Sequence, residues 1–165
     1  MNEISNRWIQ ELRRSAGGGG DGLPEEVAHL LVSFLPACFG EWRERGLEAW
    51  HHGTHLYGSL ALRRGLAAGE VVEELHLLRG VILRLYLLEF LPMVSTKDPD
   101  KAGSHMEFLG LDKILDQGVS RASVSYVDDL FFSHLQGSGV ADGISEEMEQ
   151  EVLTQLRSFR AELGC

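Results

Sequence analysis

Residues 70–91 constrain this chain more than any other stretch. Val71, Val72, Leu75, Leu78, Ile82, Leu85 and Leu88 recur at helical spacing, and Leu83, Leu87 and Phe90 widen the apolar stripe. A helix this apolar must be covered on most of its surface, by lipid or by other helices. Lipid is disfavoured. Arg79, Arg84 and Glu89 interrupt the run at five-residue intervals, and each would cost about 2.5–3.5 kcal/mol at the centre of a bilayer. The alternative is the middle of a soluble helical bundle, with Pro92 closing the helix.

The rest of the chain supplies partners for such a helix. Residues 3–16 place Ile4, Trp8, Ile9 and Leu12 on one face. Pro24-Glu25-Glu26 opens a second helix carrying Val27, Leu30, Leu31 and Phe34, with Pro36 ending it. A third is expected over 41–64, burying Leu47, Trp50, Tyr57, Leu60 and Ala61, with Gly53 and Gly58 allowing a neighbouring backbone close. Gly65 stops it. After an exposed loop at 95–104, a long helix is expected over 105–136, with Met106, Leu109, Ile114, Val119, Ala122, Tyr126, Leu130 and Phe131 on its buried side. The last helix, about 145–163, carries Met148, Val152, Leu156, Phe159 and Leu163 as a narrow seam that suits either its own bundle or a second chain. No strand pattern of useful length and no repeat interrupts this, so the fold class is all-α, a bundle of five to six helices.

Two glycine-rich stretches divide the chain. Gly17–Gly20 separates an N-terminal helix and linker (1–22) from a core (23–136), and Gly137-Ser138-Gly139 precedes a C-terminal helix (137–165). Fifteen basic against 25 acidic residues give a net charge of −10, which argues against a nucleic-acid backbone binder, since such a binder needs a basic face. Residues 85–165 carry six basic and fourteen acidic groups, net −8. That acidity reads as a solvated face, or as a docking surface for a basic partner. Met1 to Gln10 has no apolar signal-peptide core, and the two cysteines, Cys38 and Cys165, make no disulfide framework. A reduced, cytoplasmic setting is the expectation.

The segment His52-Gly53, Arg63-Arg64-Gly65-Leu66, Val71-Val72-Glu73-Glu74-Leu75-His76-Leu77-Leu78-Arg79 and Val81-Ile82-Leu83-Arg84, with Leu111 to Asp116 and Val124-Ser125-Tyr126 beyond, resembles the N-terminal domain of the RsbT co-antagonist family, the RsbRD type. Arg64, Glu74, Leu78 and Arg79 carry the motif. The resemblance spans about 41–136. It implies a globin-like helical domain without haem or other cofactor, usually dimeric, non-catalytic, and serving as the input or regulatory part of bacterial sensor kinases or stressosome-type regulators. The implied partners are a second copy and a kinase or stressosome-type protein.

The motif also has a physical reading. Glu74 and Arg79 are five apart and do not face each other on one helix, so each should pair across helices. The turn at Gly65 makes Arg63 or Arg64 the candidate partner of Glu74.

Several groups invite a chemical reading. His51 and His55 form an i,i+4 pair suited to a metal, and Glu48-x-x-His51 and Glu73-x-x-His76 repeat the Glu-x-x-His element of di-iron bundles. A di-iron or zinc bundle built on Glu48, His51, His55, Glu73 and His76 is therefore the alternative reading, and it needs these side chains to point inward. Asp112 and Asp116 would have to bridge the metals. His76, flanked by leucines, is the candidate haem ligand. Ordinary polar histidines explain the same pattern. Cys38 lies in an apolar setting that favours an inert thiol. His105 and His134 lack the context of a phosphoacceptor.

Overall fold

The computed structural model describes residues 2–15, 25–39, 41–90, 101–135 and 146–164. Six α-helices occur among them: α1 (Asn2–Ser15), α2 (Glu25–Ser33), α3 (Arg43–Arg63), α4 (Ala68–Phe90), α5 (Lys101–Leu135) and α6 (Glu146–Leu163). A short 3-10 turn, Pro36–Cys38, follows α2. No described residue is in a strand. No described helix is long and apolar enough to cross a membrane. Both glycine-rich stretches (Gly17–Gly20, Gly137–Gly139), Pro92 and Cys165 lie outside the described residues.

α5 starts earlier than its sequence suggests. Residues 101–104, expected in a loop, already belong to the helix. Pro99 and Asp100 immediately precede it, and both residue types favour the entry to a helix.

α3 is the hub. It touches α2, the 3-10 turn, α4, α5 and α6, whereas α4 packs mainly on α5 and α1. α4, expected in the middle of the bundle, is thus not its centre. α3 owes its place to small residues. Gly46, Ala49, Gly53, Thr54 and Gly58 are all buried along it, so neighbours approach it from several sides. Gly58 is the tightest point: a Cβ there would lie 2.2 Å from the carbonyl oxygen of Ala122. Contacts between Trp50 and Ile114 and between Ser59 and Ser125 keep a near-constant sequence offset, 64 and 66 residues. α3 and α5 therefore run parallel and pack directly on each other, α4 being the link between them in the chain.

The α3–α4 turn is built by its backbone. Gly65 has φ +74°, its N–H donates to Leu62 at 3.0 Å, and the N–H of Leu66 donates to Ala61 at 3.1 Å. That double closure is a Schellman motif, which needs a left-handed residue at the glycine position. Tyr126 locks the turn to α5 by donating its hydroxyl to the Leu66 carbonyl at 2.7 Å.

One hydrophobic core runs through all six helices. Trp8 of α1, Leu31 of α2, Trp50 and Leu60 of α3, Leu78 of α4, Ala122 of α5 and Leu156 of α6 all belong to it. The α6 seam faces α2 and α3, where Leu156 lies beside Gly53. Arg157 adds an ion pair to Glu26 of α2 at 2.6 Å. On α5, Ile114, Ala122 and Tyr126 are buried as expected, but Leu109 and Phe131 are more than half exposed. Apolar residues surround that helix, so spacing alone does not single out its covered face.

Candidate functional site

Three arrangements outside ordinary core packing could carry function: a buried polar knot, an apolar stripe and a histidine groove.

The knot joins α1, α3 and α4. Arg64, at the C-terminal cap of α3, donates from its two Nη atoms to the two carboxylate oxygens of Glu74, both at 2.8 Å. Of the two candidate arginines, Arg64 is the one that reaches Glu74. The Tyr57 hydroxyl donates to Oε2 of the same carboxylate, and the Trp8 indole N–H donates to the Glu74 backbone carbonyl at 2.8 Å. Burial, reinforced by the adjacent Glu74 charge, pushes the Tyr57 hydroxyl well above its ordinary pKa. Burial pulls the Arg64 guanidinium down, but its hydrogen bonds and charge pairing with Glu74 outweigh this and leave it raised. A buried ion pair is tolerable only when its donors and acceptors are satisfied. Here no buried side-chain nitrogen or oxygen among the described residues lacks a partner.

Leu78 of the same motif is fully buried. Arg79 reaches the other way, to Asp112 of α5 at 2.7 Å, and both side chains are about one-third exposed. Neither Tyr57 nor Trp8 stood out as a knot residue in the sequence, where both read as packing residues. The one available signal was generic: a buried tyrosine hydroxyl or indole N–H needs a partner.

The stripe lies on the last turns of α5. Val124, Val127, Phe131 and Leu135, with Phe132 beside them, are each more than half exposed. The Phe131 and Phe132 rings meet edge to face, centroids 6.1 Å apart.

The third arrangement gathers Glu48, His51, His52, His55 and Arg121 along a groove of about 430 Å³. His51 meets Gln117 of α5 at 3.4 Å and His52 meets Gln155 of α6 at 3.1 Å. His52 also packs on the Phe159 ring. Glu73 and His76 do not join this group. They are exposed on α4, as Glu48 and His55 are on α3. The inward-facing set that a di-iron bundle requires is therefore not assembled, and no group of three His, Cys, Asp or Glu able to hold a metal occurs among the described residues. Asp116 and His134 are exposed, and His76 lacks the buried apolar setting of a haem ligand. Cys38 is fully buried, with its Sγ 3.4 Å from the Phe34 carbonyl. Burial pushes its thiol up to about 12, against a weaker opposing effect of Arg43.

The chain matches no protein-family profile, no curated protein and no solved structure.

Proposed function

We propose that this chain is a non-catalytic input or regulatory domain of a bacterial signalling system, acting in the cytoplasm as a homodimer that relays partner or ligand binding through helix packing. The α5 stripe is the observation that carries this reading. Monomeric proteins rarely leave a contiguous patch of large apolar side chains in water. Val124, Val127, Phe131 and Leu135 are spaced 3, 4 and 4, the spacing of a helix-pairing seam. A second copy suits the stripe because a twofold contact sets the same surface against itself. The net −8 of residues 85–165 leaves apolar burial as the attraction between like-charged copies. The resemblance of residues 41–136 to the RsbRD-type domain points the same way, and with it to a kinase or stressosome-type partner.

Sedimentation velocity from low to high micromolar concentration tests the reading. A dimer is expected, converted to a monomer by Phe131→Glu or Val127→Glu with the helical circular dichroism unchanged. A wild-type protein that stays monomeric at high micromolar concentration overturns it.

A further inference from the structure

The groove between α1 and α4 concentrates positive charge in a chain whose net charge is −10. Arg7, Gln10, Glu11 and Arg14 of α1 line it, with Val81 and Arg84 of α4, around a cavity of about 360 Å³. Residues 7, 10, 11 and 14 recur at helical spacing and so form one row on α1. The packing of α1 on α4 brings Arg84 to that row. Three arginines face one glutamate within the groove, net +2, or +1 once Glu3, which pairs with Arg7 from the preceding turn, is counted.

That glutamate neutralises its neighbours poorly. Oε1 of Glu11 lies 3.5 Å from Arg14 and 3.8 Å from Arg84, so a single oxygen is shared at distances beyond an ordinary hydrogen bond. Arg84 commits its Nε to the Gly80 carbonyl at 3.3 Å. Arg7 holds Glu3 at 2.7 Å in an exposed pair, the kind that contributes little.

We infer that this groove binds a phosphate group, either free or carried by a small molecule. Guanidinium forks match phosphate oxygens in geometry and charge. The volume lies in the range of small-molecule sites, and the buried Val81 gives the groove an apolar element. The acidic remainder of the surface repels anions elsewhere and so favours this patch. None of these residues belongs to the α5 stripe, so the dimer and the anion site can fail separately.

The test is titration of the full chain with inorganic phosphate and with glycerol 3-phosphate, followed by amide chemical shifts at fixed salt. Saturable shifts along α1 and the facing turns of α4 are expected. Arg84→Gln and Arg7→Gln should each weaken binding about fivefold or more, while Glu11→Gln, which removes the competing carboxylate, tightens it. Arg13→Gln is the control. It makes the same charge change on α1, the helix of Arg7, but Arg13 pairs with Glu25 of α2 outside the groove, and binding should stay within about twofold. Tighter binding of the ester assigns a phosphorylated small molecule, and equal binding assigns free phosphate. Absence of saturation, or an Arg13→Gln loss as large as that of Arg84→Gln, overturns the site.

Discussion

Arg64 and Glu74 stand ten residues apart and meet through two parallel hydrogen bonds of 2.8 Å, with side chains only 4% and 10% exposed. The Schellman turn at Gly65 creates this relationship by folding the end of α3 back over the start of α4. The pair is therefore the covalent turn's non-covalent counterpart. It fixes the angle between two helices, and Tyr57 and Trp8 extend the hold to the body of α3 and to α1.

Removing one partner should be far more damaging than cutting a surface pair. Glu74→Ala removes the carboxylate that the buried Arg64 guanidinium and the Tyr57 hydroxyl share, and is expected to cost about 3–5 kcal/mol. Arg79→Ala breaks a pair whose side chains are 33% and 32% exposed, and should cost under about 1 kcal/mol. Urea unfolding of both variants checks the contrast. Similar losses in the two would remove the knot from the account of stability.

Gly58 and Gly80 both sit inside helices, yet alanine should act on them in opposite directions. At Gly58 the new methyl would meet the Ala122 backbone, with carbonyl oxygen at 2.2 Å and carbon at 2.9 Å. α3 and α5 would have to separate, at about 1–3 kcal/mol or more. At Gly80 the nearest atom is the end of the Arg84 side chain at 3.9 Å, so alanine should stabilise α4 by about 0.5–1 kcal/mol. Thermal unfolding of Gly58→Ala and Gly80→Ala reads both signs.

The seam of α6 was ambiguous as sequence, and the structure directs it inward. Leu156 is fully buried and lies against Gly53 of α3. Leu156→Ala should cost about 2–5 kcal/mol, and that loss should not vary with protein concentration. A loss that shrinks on dilution would mean that α6 packs against another chain.

Much of this architecture was legible in the sequence because helical spacing reports burial directly. Trp8, Ile9 and Leu12 on α1, Val27, Leu30 and Leu31 on α2, and Val71, Leu75 and Leu78 on α4 are buried as their spacing implies. The central role of α3 was legible only in part. The close backbone approach expected at Gly58 is there, against Ala122, but Gly53 admits side chains instead and Gly46 gave no signal, because hydropathy counts glycines against a buried helix. On α5, apolar residues point several ways, so only the neighbouring helices decide that Ile114 is covered while Leu109 and Phe131 face water. The cross-helix pairing of Glu74 was readable from the turn, but the choice of Arg64 over Arg63 depends on where the last turn of α3 leaves each side chain. The Arg7, Arg14 and Arg84 groove was hidden because it needs the docking of α1 on α4, two helices separated by more than fifty residues of chain.

Alkaline pH should unfold this protein through groups that the fold keeps protonated. The Cys38 thiol rises from 9.0 to about 12 in the folded state, chiefly through burial, and the Tyr57 hydroxyl rises well above 10.0 for the same reason, aided by Glu74. When a folded pKa is raised, the native state keeps its proton at a pH where the unfolded chain has lost it. The associated stability is fully present below the unfolded pKa and drains as pH rises toward the folded one. Cys38 should act first, from about pH 9, and Tyr57 should join above about pH 10, each at up to about 1.4 kcal/mol per pH unit. Urea unfolding at pH 7.5, 9, 10 and 11 should therefore show falling stability, and Cys38→Ala should flatten the fall between pH 9 and 10 and leave only the Tyr57 share of the loss above it. An unchanged slope in that variant would remove Cys38 from the alkaline transition. A thiol reagent offers an independent check at neutral pH: Cys38 should react only as fast as the protein opens.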